Sequence, residues 1–221
     1  MKRSILYFNN IRLNTSEIHK FRGYIGNMFK EHDLIHNHDA SSGRPIYRYP
    51  LIQFKLINNV PVIIALTNRA VEVFTEIFMA TDEIVIDDRT ILVAEKDLSV
   101  QSCDFGFSTD MFMYEFLSPW IGLNQENHRH YVSLEKEQEK NDLLKHILTG
   151  NILSMAKYLD VRLKPDQRIK TEVQLKQTKV ILKGTHMTGF KGIFKTNFIV
   201  PDYAGLGKSV SRGYGTVKKV L

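Results

Sequence analysis

The chain has 221 residues, enough for one large domain or two of roughly 100 residues each. Hydrophobic residues make up 43% and charged residues 24%, the composition of an ordinary soluble protein with packed cores, and a single cysteine, Cys103, rules out an intramolecular disulfide framework. The net charge of +6 is unevenly spread: residues 161–221 hold 13 Lys/Arg against 3 Asp/Glu, and the other 160 hold 17 against 21.

A short basic region of that kind attracts a polyanion. The basic start Met1-Lys2-Arg3 lacks the apolar run of a signal peptide behind it, and no stretch approaches 18 apolar residues. A cytoplasmic protein with no membrane partner is expected, and the lone thiol fits a reducing compartment.

In chain order, residues 4–13 are rich in Ile, Leu, Tyr and Phe and predict a strand. Thr15 or Ser16 then offers a cap to a helix with Ile18, Phe21, Ile25, Met28 and Phe29 at helical spacing. A polar loop carries His36 and His38. In residues 51–57 the apolar set Ile52, Phe54 and Leu56 alternates with the more mixed Leu51, Gln53, Lys55 and Ile57, and Asn58-Asn59 turns into a partner strand at 60–66. A helix follows from about Asn68, with Val71, Val73, Phe74, Ile77 and Phe78 as its stripe, and residues 84–93 supply a last strand or a hairpin turning near Asp87-Asp88. Strand–helix–strand twice over is the ferredoxin-like order. Ser99 to Gly106 marks the joint, giving domains at 1–98 and 99–221.

The second half opens with a strand-like run, Met111 to Trp120, halted by Pro119. A helical region from Leu134 breaks at Gly150-Asn151, with Asn151 capping a short second helix. Residues 168–175 and 179–182 read as successive strands, 190–200 as another, and 214–220 as the last. The fold class is α+β: two tandem ferredoxin-like (RRM-like) domains, the second modified, with a glycine-rich loop near the C-terminus.

That loop is Gly205-Leu206-Gly207-Lys208-Ser209-Val210-Ser211-Arg212-Gly213-Tyr214-Gly215. It is not a nucleotide-binding P-loop, because Asp202 stands where the first glycine belongs and no helix is signalled after it. Its glycines allow close approach of backbone to an anion, Lys208 and Arg212 supply cations, Ser209 and Ser211 supply hydroxyls, and Tyr214 can stack on a base or pack beneath the loop. The same residues also describe a plain connection between strands. His36-Asn37-His38 is the other chemical signal. In an extended segment residues i and i+2 share a face, so both imidazoles reach one substrate atom. One can take the proton from an RNA 2′-OH while the other protonates the departing 5′-oxygen, with Arg44 or Arg48 stabilising the phosphorane. His-x-His beside His32, Asp33 or Asp39 also has the donors of a transition-metal site. His128 and His130 form a second local pair without an adjoining basic loop.

The combination resembles the CRISPR-associated endoribonucleases that process repeat RNA, in the repeat-associated RNA-recognition (RAMP) superfamily. It rests on His36-Asn37-His38 followed by Tyr47-Arg48-Tyr49-Pro50-Leu51-Ile52-Gln53-Phe54-Lys55, and on the glycine-rich loop. The resemblance implies cleavage of CRISPR repeat RNA by 2′-OH attack, without metal or cofactor, leaving a 2′,3′-cyclic phosphate and a 5′-hydroxyl. The non-catalytic alternative is an RNA-binding subunit of a CRISPR effector complex. The resemblance implies His38 or His36 as general base, Tyr24 on the first helix as a further catalytic group, and Arg44 or Arg48 in place of a lysine that some members carry soon after the histidine. Here no lysine follows until Lys55. Implied RNA contacts are Arg44, Lys191, Lys195, Gly205, Gly207, Lys208, Ser209, Ser211, Arg212, Gly213, Tyr214 and Gly215. Homodimerisation and association with a CRISPR effector complex are left open.

Overall fold

A computed structural model describes residues 1–29, 32–36, 48–182 and 184–220, without the side chains of Asp33 and His36. Two units emerge, one made of Met1–Cys103 with Val210–Gly213, the other of Asp104–Ser209 with Tyr214–Leu221.

In the first unit, β1 (Lys2–Phe8) leads into α1 (Ile18–Met28) and a four-residue helix α2 (Asp33–His36). Then come β2 (Ile52–Ile57), β3 (Val60–Leu66), α3 (Asn68–Ala80), the strands β4 (Glu83–Ile86) and β5 (Arg89–Leu92), and β6 (Lys96–Ser102). The antiparallel sheet runs β2-β3-β1-β6. Phe8, Phe21 and Phe54 stack edge to face at its centre, with centroids 5.4 and 5.5 Å apart. They join Ile18, Ile25, Phe74 and Ile77 from the two helices in one buried cluster.

Of the two alternatives for residues 84–93, the hairpin is the one observed: Glu83–Ile86 and Arg89–Leu92 pair with each other, turning at Asp87 with φ 53°. The fourth strand of the sheet is instead β6, in the stretch read as the joint. Met1 and Cys103 exchange backbone hydrogen bonds of 2.8 and 2.9 Å, so the unit extends past residue 98 to Cys103.

In the second unit, β7 (Gly106–Phe116) is followed by α4 (Gln125–Ser133), α5 (Glu137–Tyr158), β8 (Thr171–Leu182), β9 (Thr185–Ile199) and β10 (Val217–Lys219). The sheet order is β10-β7-β9-β8. In both four-stranded sheets the first strand in chain order lies between that sheet's third and fourth, so this is an α+β protein with ferredoxin-like sheets. Between β9 and β10 the described chain forms no helix; residues 200–216 make the crossover as turns. Among the described residues no helix is long and apolar enough to cross a membrane.

The helix is not interrupted at Gly150-Asn151: α5 runs through both residues. Asn151 does not act as a cap, because its Oδ1 accepts the indole N–H of buried Trp120 at 3.0 Å. Leu148, Ile152 and Met155 continue one buried stripe across the junction. Helix α4, capped by Asn124 accepting from the Asn127 amide at 2.7 Å, carries the His128–His130 pair, where no element is expected from the sequence. The two strands expected at 168–175 and 179–182 are one, β8, held in register with β9 along its whole length. The strand expected at 111–120 begins earlier, at Gly106, and only Val217–Lys219 of the last one is a strand.

Candidate nucleic-acid interface

The glycine-rich segment is shaped by close packing. Gly207 adopts φ +87°, and a Cβ there would stand 2.7 Å from the Ile121 carbonyl oxygen and 2.6 Å from the Trp120 indole nitrogen. Gly215, at φ +61°, passes so near the Leu206 carbonyl that no side chain fits. The amides of Leu206, Lys208 and Gly215 donate at 2.9 Å to the carbonyls of Gly215, Ile121 and Pro119, and that of Gly213 to Val210 at 3.4 Å. Those four N–H groups are used within the protein. What the segment presents outward is therefore carried largely by side chains: Lys208 is exposed, and Ser209, Ser211, Arg212 and Tyr214 are half-buried. The Tyr214 hydroxyl donates to the Ile181 carbonyl at 2.7 Å, and burial raises its pKa.

Within the first unit, residues 210–213 lie along the β2 edge of the sheet. The Phe54 amide donates to the Ser211 carbonyl at 3.4 Å, and Phe54 and Arg212 form a parallel bridge. Lys55 fixes the attachment: fully buried, it donates from Nζ to the Val210 carbonyl at 2.8 Å. Loss of solvent lowers its pKa to about 7. Both polar members of the mixed set on β2, Gln53 and Lys55, are wholly buried.

A second cation faces the same segment. Arg22 on α1 donates from Nη2 to the Ile35 carbonyl of α2 at 3.3 Å. Burial, and then the charge of Arg212 close by, lower its pKa. Among the described residues no carboxylate pairs with either guanidinium. An anion near Arg22 would relieve the repulsion it feels from Arg212. Tyr24 lies elsewhere on α1, roughly 200° round the helix from Arg22. It packs on the core cluster, and burial followed by the Glu83 charge raises its pKa, so its phenol stays protonated.

The other expected residues are dispersed. His36 closes α2, so the extended segment supposed for the histidine pair does not hold at its first member. His38 and Arg44 lie outside the described residues. Arg48 is half-buried ahead of β2. On the second sheet Lys191 stands opposite Lys176, and Lys195 opposite Glu172. His128, on α4, meets the Thr188 hydroxyl at 3.1 Å. Among the described residues no group of three His, Cys, Asp or Glu side chains is arranged to hold a metal ion.

Sequence reasoning passed over Arg22 and Lys55. A signal for Arg22 existed: it stands four residues after Ile18 and three before Ile25, in the buried stripe of its helix, where an unpaired charge is costly.

An α+β chain with ferredoxin-like sheets, a glycine-shaped crossover and clustered cations is of the kind that handles a phosphate backbone. Comparison narrows the class. The Cas6b N-terminal domain matches residues 2–104 and the Cas6b C-terminal domain matches residues 106–220. This chain belongs to the Cas6b family. A solved structure described as Cas6b is 33% identical with a TM-score of 0.93, over 99% of each chain. Another, described as a CRISPR RNA processing endoribonuclease Cas6b, is 32% identical with a TM-score of 0.78, over 100% of each. An uncharacterized protein of Methanocaldococcus jannaschii is 38% identical over 146 residues, 66% of this chain and 97% of that protein. A type IV Cas6 crRNA endonuclease, Csf5, shares the fold at 13% identity and a TM-score of 0.64, over 100% of each chain.

Proposed function

We propose that this protein is a metal-independent endoribonuclease that cuts CRISPR repeat RNA within precursor transcripts to give guide RNAs. The observation that carries this reading is the match of both halves to Cas6b domains, together with overall likeness to a CRISPR RNA processing endoribonuclease of that family. We read the units as tandem ferredoxin-like domains, the second modified because the glycine-rich crossover takes the place of its second helix.

In the chemistry proposed, His38 takes the proton of the 2′-OH and His36 donates to the departing 5′-oxygen. The 2′-oxygen bonds to phosphorus as the bond to the 5′-oxygen breaks, leaving a 2′,3′-cyclic phosphate and a 5′-hydroxyl. Arg22 and Arg212 hold the phosphate whose charge builds on the way, and Arg44 and Arg48 add to that field. Their support is the repulsion that Arg22 feels from Arg212, with no carboxylate partner among the described residues. Tyr24, held neutral, positions α1 rather than accepting a proton. Lys191, Lys195, Lys208, Ser209, Ser211 and Tyr214 contact the RNA, and Gly205, Gly207, Gly213 and Gly215 give the segment the shape that presents them.

The test is single-turnover cleavage of cognate repeat RNA at saturating protein. Cutting should persist in EDTA and stop when the 2′-OH at the cut site is replaced by hydrogen. His36→Ala and His38→Ala should each slow it by roughly 10²–10⁴-fold. Cutting of the deoxy substrate, or full activity in the double variant, would sink the proposal.

A further inference from the structure

A groove of about 940 Å³ opens on the second unit between α4 and the β8–β9 hairpin. It exists because the helix covers only part of the sheet. Tyr131 of α4 closes over Phe190, edge to face at 5.4 Å, and His128 reaches Thr188, but Asn124 then ends the helix while the hairpin continues.

Three cations converge on this hollow from three elements: Arg129 on α4, Lys179 on β8 and Lys208 on the glycine-rich segment. Arg129, Lys179 and Lys208 are exposed, and among the described residues that line the groove there is no aspartate or glutamate. Half-buried Met187 gives the hollow apolar surface beside buried Leu123, with the imidazoles of His128 and His186 and the amides of Gln125 and Gln177. Cations alone would suit any anion. Cations around an apolar surface with flat rings and amides suit a phosphate joined to a planar, hydrogen-bonding base. The hollow also excludes a duplex, whose base edges are paired and whose outer surface is convex; an unpaired nucleotide offers both its face and its edge.

We propose that this groove binds an unpaired nucleotide of the RNA the protein processes. Arg129, Lys179 and Lys208 hold its backbone, and the His128 and His186 rings with the apolar surface of Met187 receive its base. The proposal rests on the endoribonuclease reading, but it places RNA contacts on α4 and the hairpin, outside the catalytic set.

The test uses the full chain and cognate repeat RNA made uncleavable by one deoxynucleotide at the cut site. Arg129→Ala with Lys179→Ala should weaken binding at least ~10-fold. It should also lower the slope of log affinity against log salt by roughly 1.4, as expected for two lost contacts to a single strand. A scan of abasic positions should then find one nucleotide whose base matters to wild type and no longer matters in His128→Ala with Gln177→Ala. Circular dichroism confirms that these surface variants fold. Tight wild-type binding left unchanged by both variants would overturn the groove alone. Absence of any wild-type binding to repeat RNA would overturn the endoribonuclease reading and this site together.

Discussion

Lys55 is the residue whose setting says most about how the glycine-rich segment is held. Its ammonium has no solvent and is anchored on the Val210 carbonyl, with its pKa down at about 7 from an ordinary 10.5. Between those values the unfolded chain binds a proton that the folded chain does not, so stability should climb as pH rises from about 7 toward 10.5. The stabilising effect is complete above the unfolded pKa and is lost as pH falls through the folded one. Lys55→Met should remove that climb, read as urea unfolding across the pH range; an identical slope in the variant would mean the charge is solvated after all. Arg22 invites a different test, because its proposed role is in the reaction. Arg22→Ala should slow single-turnover cleavage by roughly 10–100-fold, the scale of a lost hydrogen bond to a charged group. Arg22→Lys, which keeps charge but loses the planar fork, should recover only part of it. A wild-type rate in Arg22→Ala would leave the guanidinium a structural role on α2.

The elements show where the sequence was legible and where it was not. Period and turn chemistry marked β1, α1, β2, β3 and α3 in order, because each is a strongly patterned segment beside a recognisable turn. The missed elements depended on distant partners. Strand β6 is polar and largely exposed, and only its register with β1 makes it a strand. Gly150-Asn151 looked like a break because the indole that claims Asn151 is remote in sequence. The histidine pair and the cationic segment were visible as residue types, whereas the Arg22–Arg212 pairing and the groove required the fold. Gly150 gives a clean test of this account. It lies inside α5, and a Cβ added there would have nothing within 4 Å, so no contact requires a glycine. Gly150→Ala should raise stability by about 1 kcal/mol without touching RNA binding, since alanine is the better helix former. Gly215→Ala should instead cost about 2 kcal/mol or more, because the new methyl meets the Leu206 carbonyl at a positive φ. Equal effects of the two in thermal or denaturant melts would show that backbone packing does not distinguish them.

Over the whole molecule, charge is placed at some cost to folding. The +10 excess of residues 161–221, 13 basic against 3 acidic, puts Lys176 and Lys191 directly opposite each other across β8 and β9, both exposed. Like charges in that register destabilise a sheet, so the arrangement makes sense if a polyanion relieves it. Stability and RNA affinity should then move in opposite directions at this one position. Lys191→Glu would turn a repulsive cross-strand pair into an attractive one, raising stability by about 0.2–1 kcal/mol. The same change removes one backbone contact and sets a negative charge against the RNA, so affinity should fall and the salt slope should drop by roughly 0.7 or more. Lys191→Gln, which removes the charge without reversing it, should lie between wild type and Lys191→Glu in both measurements. Thermal melts with and without repeat RNA, beside salt titrations of binding, read both effects. If Lys191→Glu stabilises the free protein while RNA affinity and slope stay at wild-type values, the strand face is solvated and the RNA runs elsewhere.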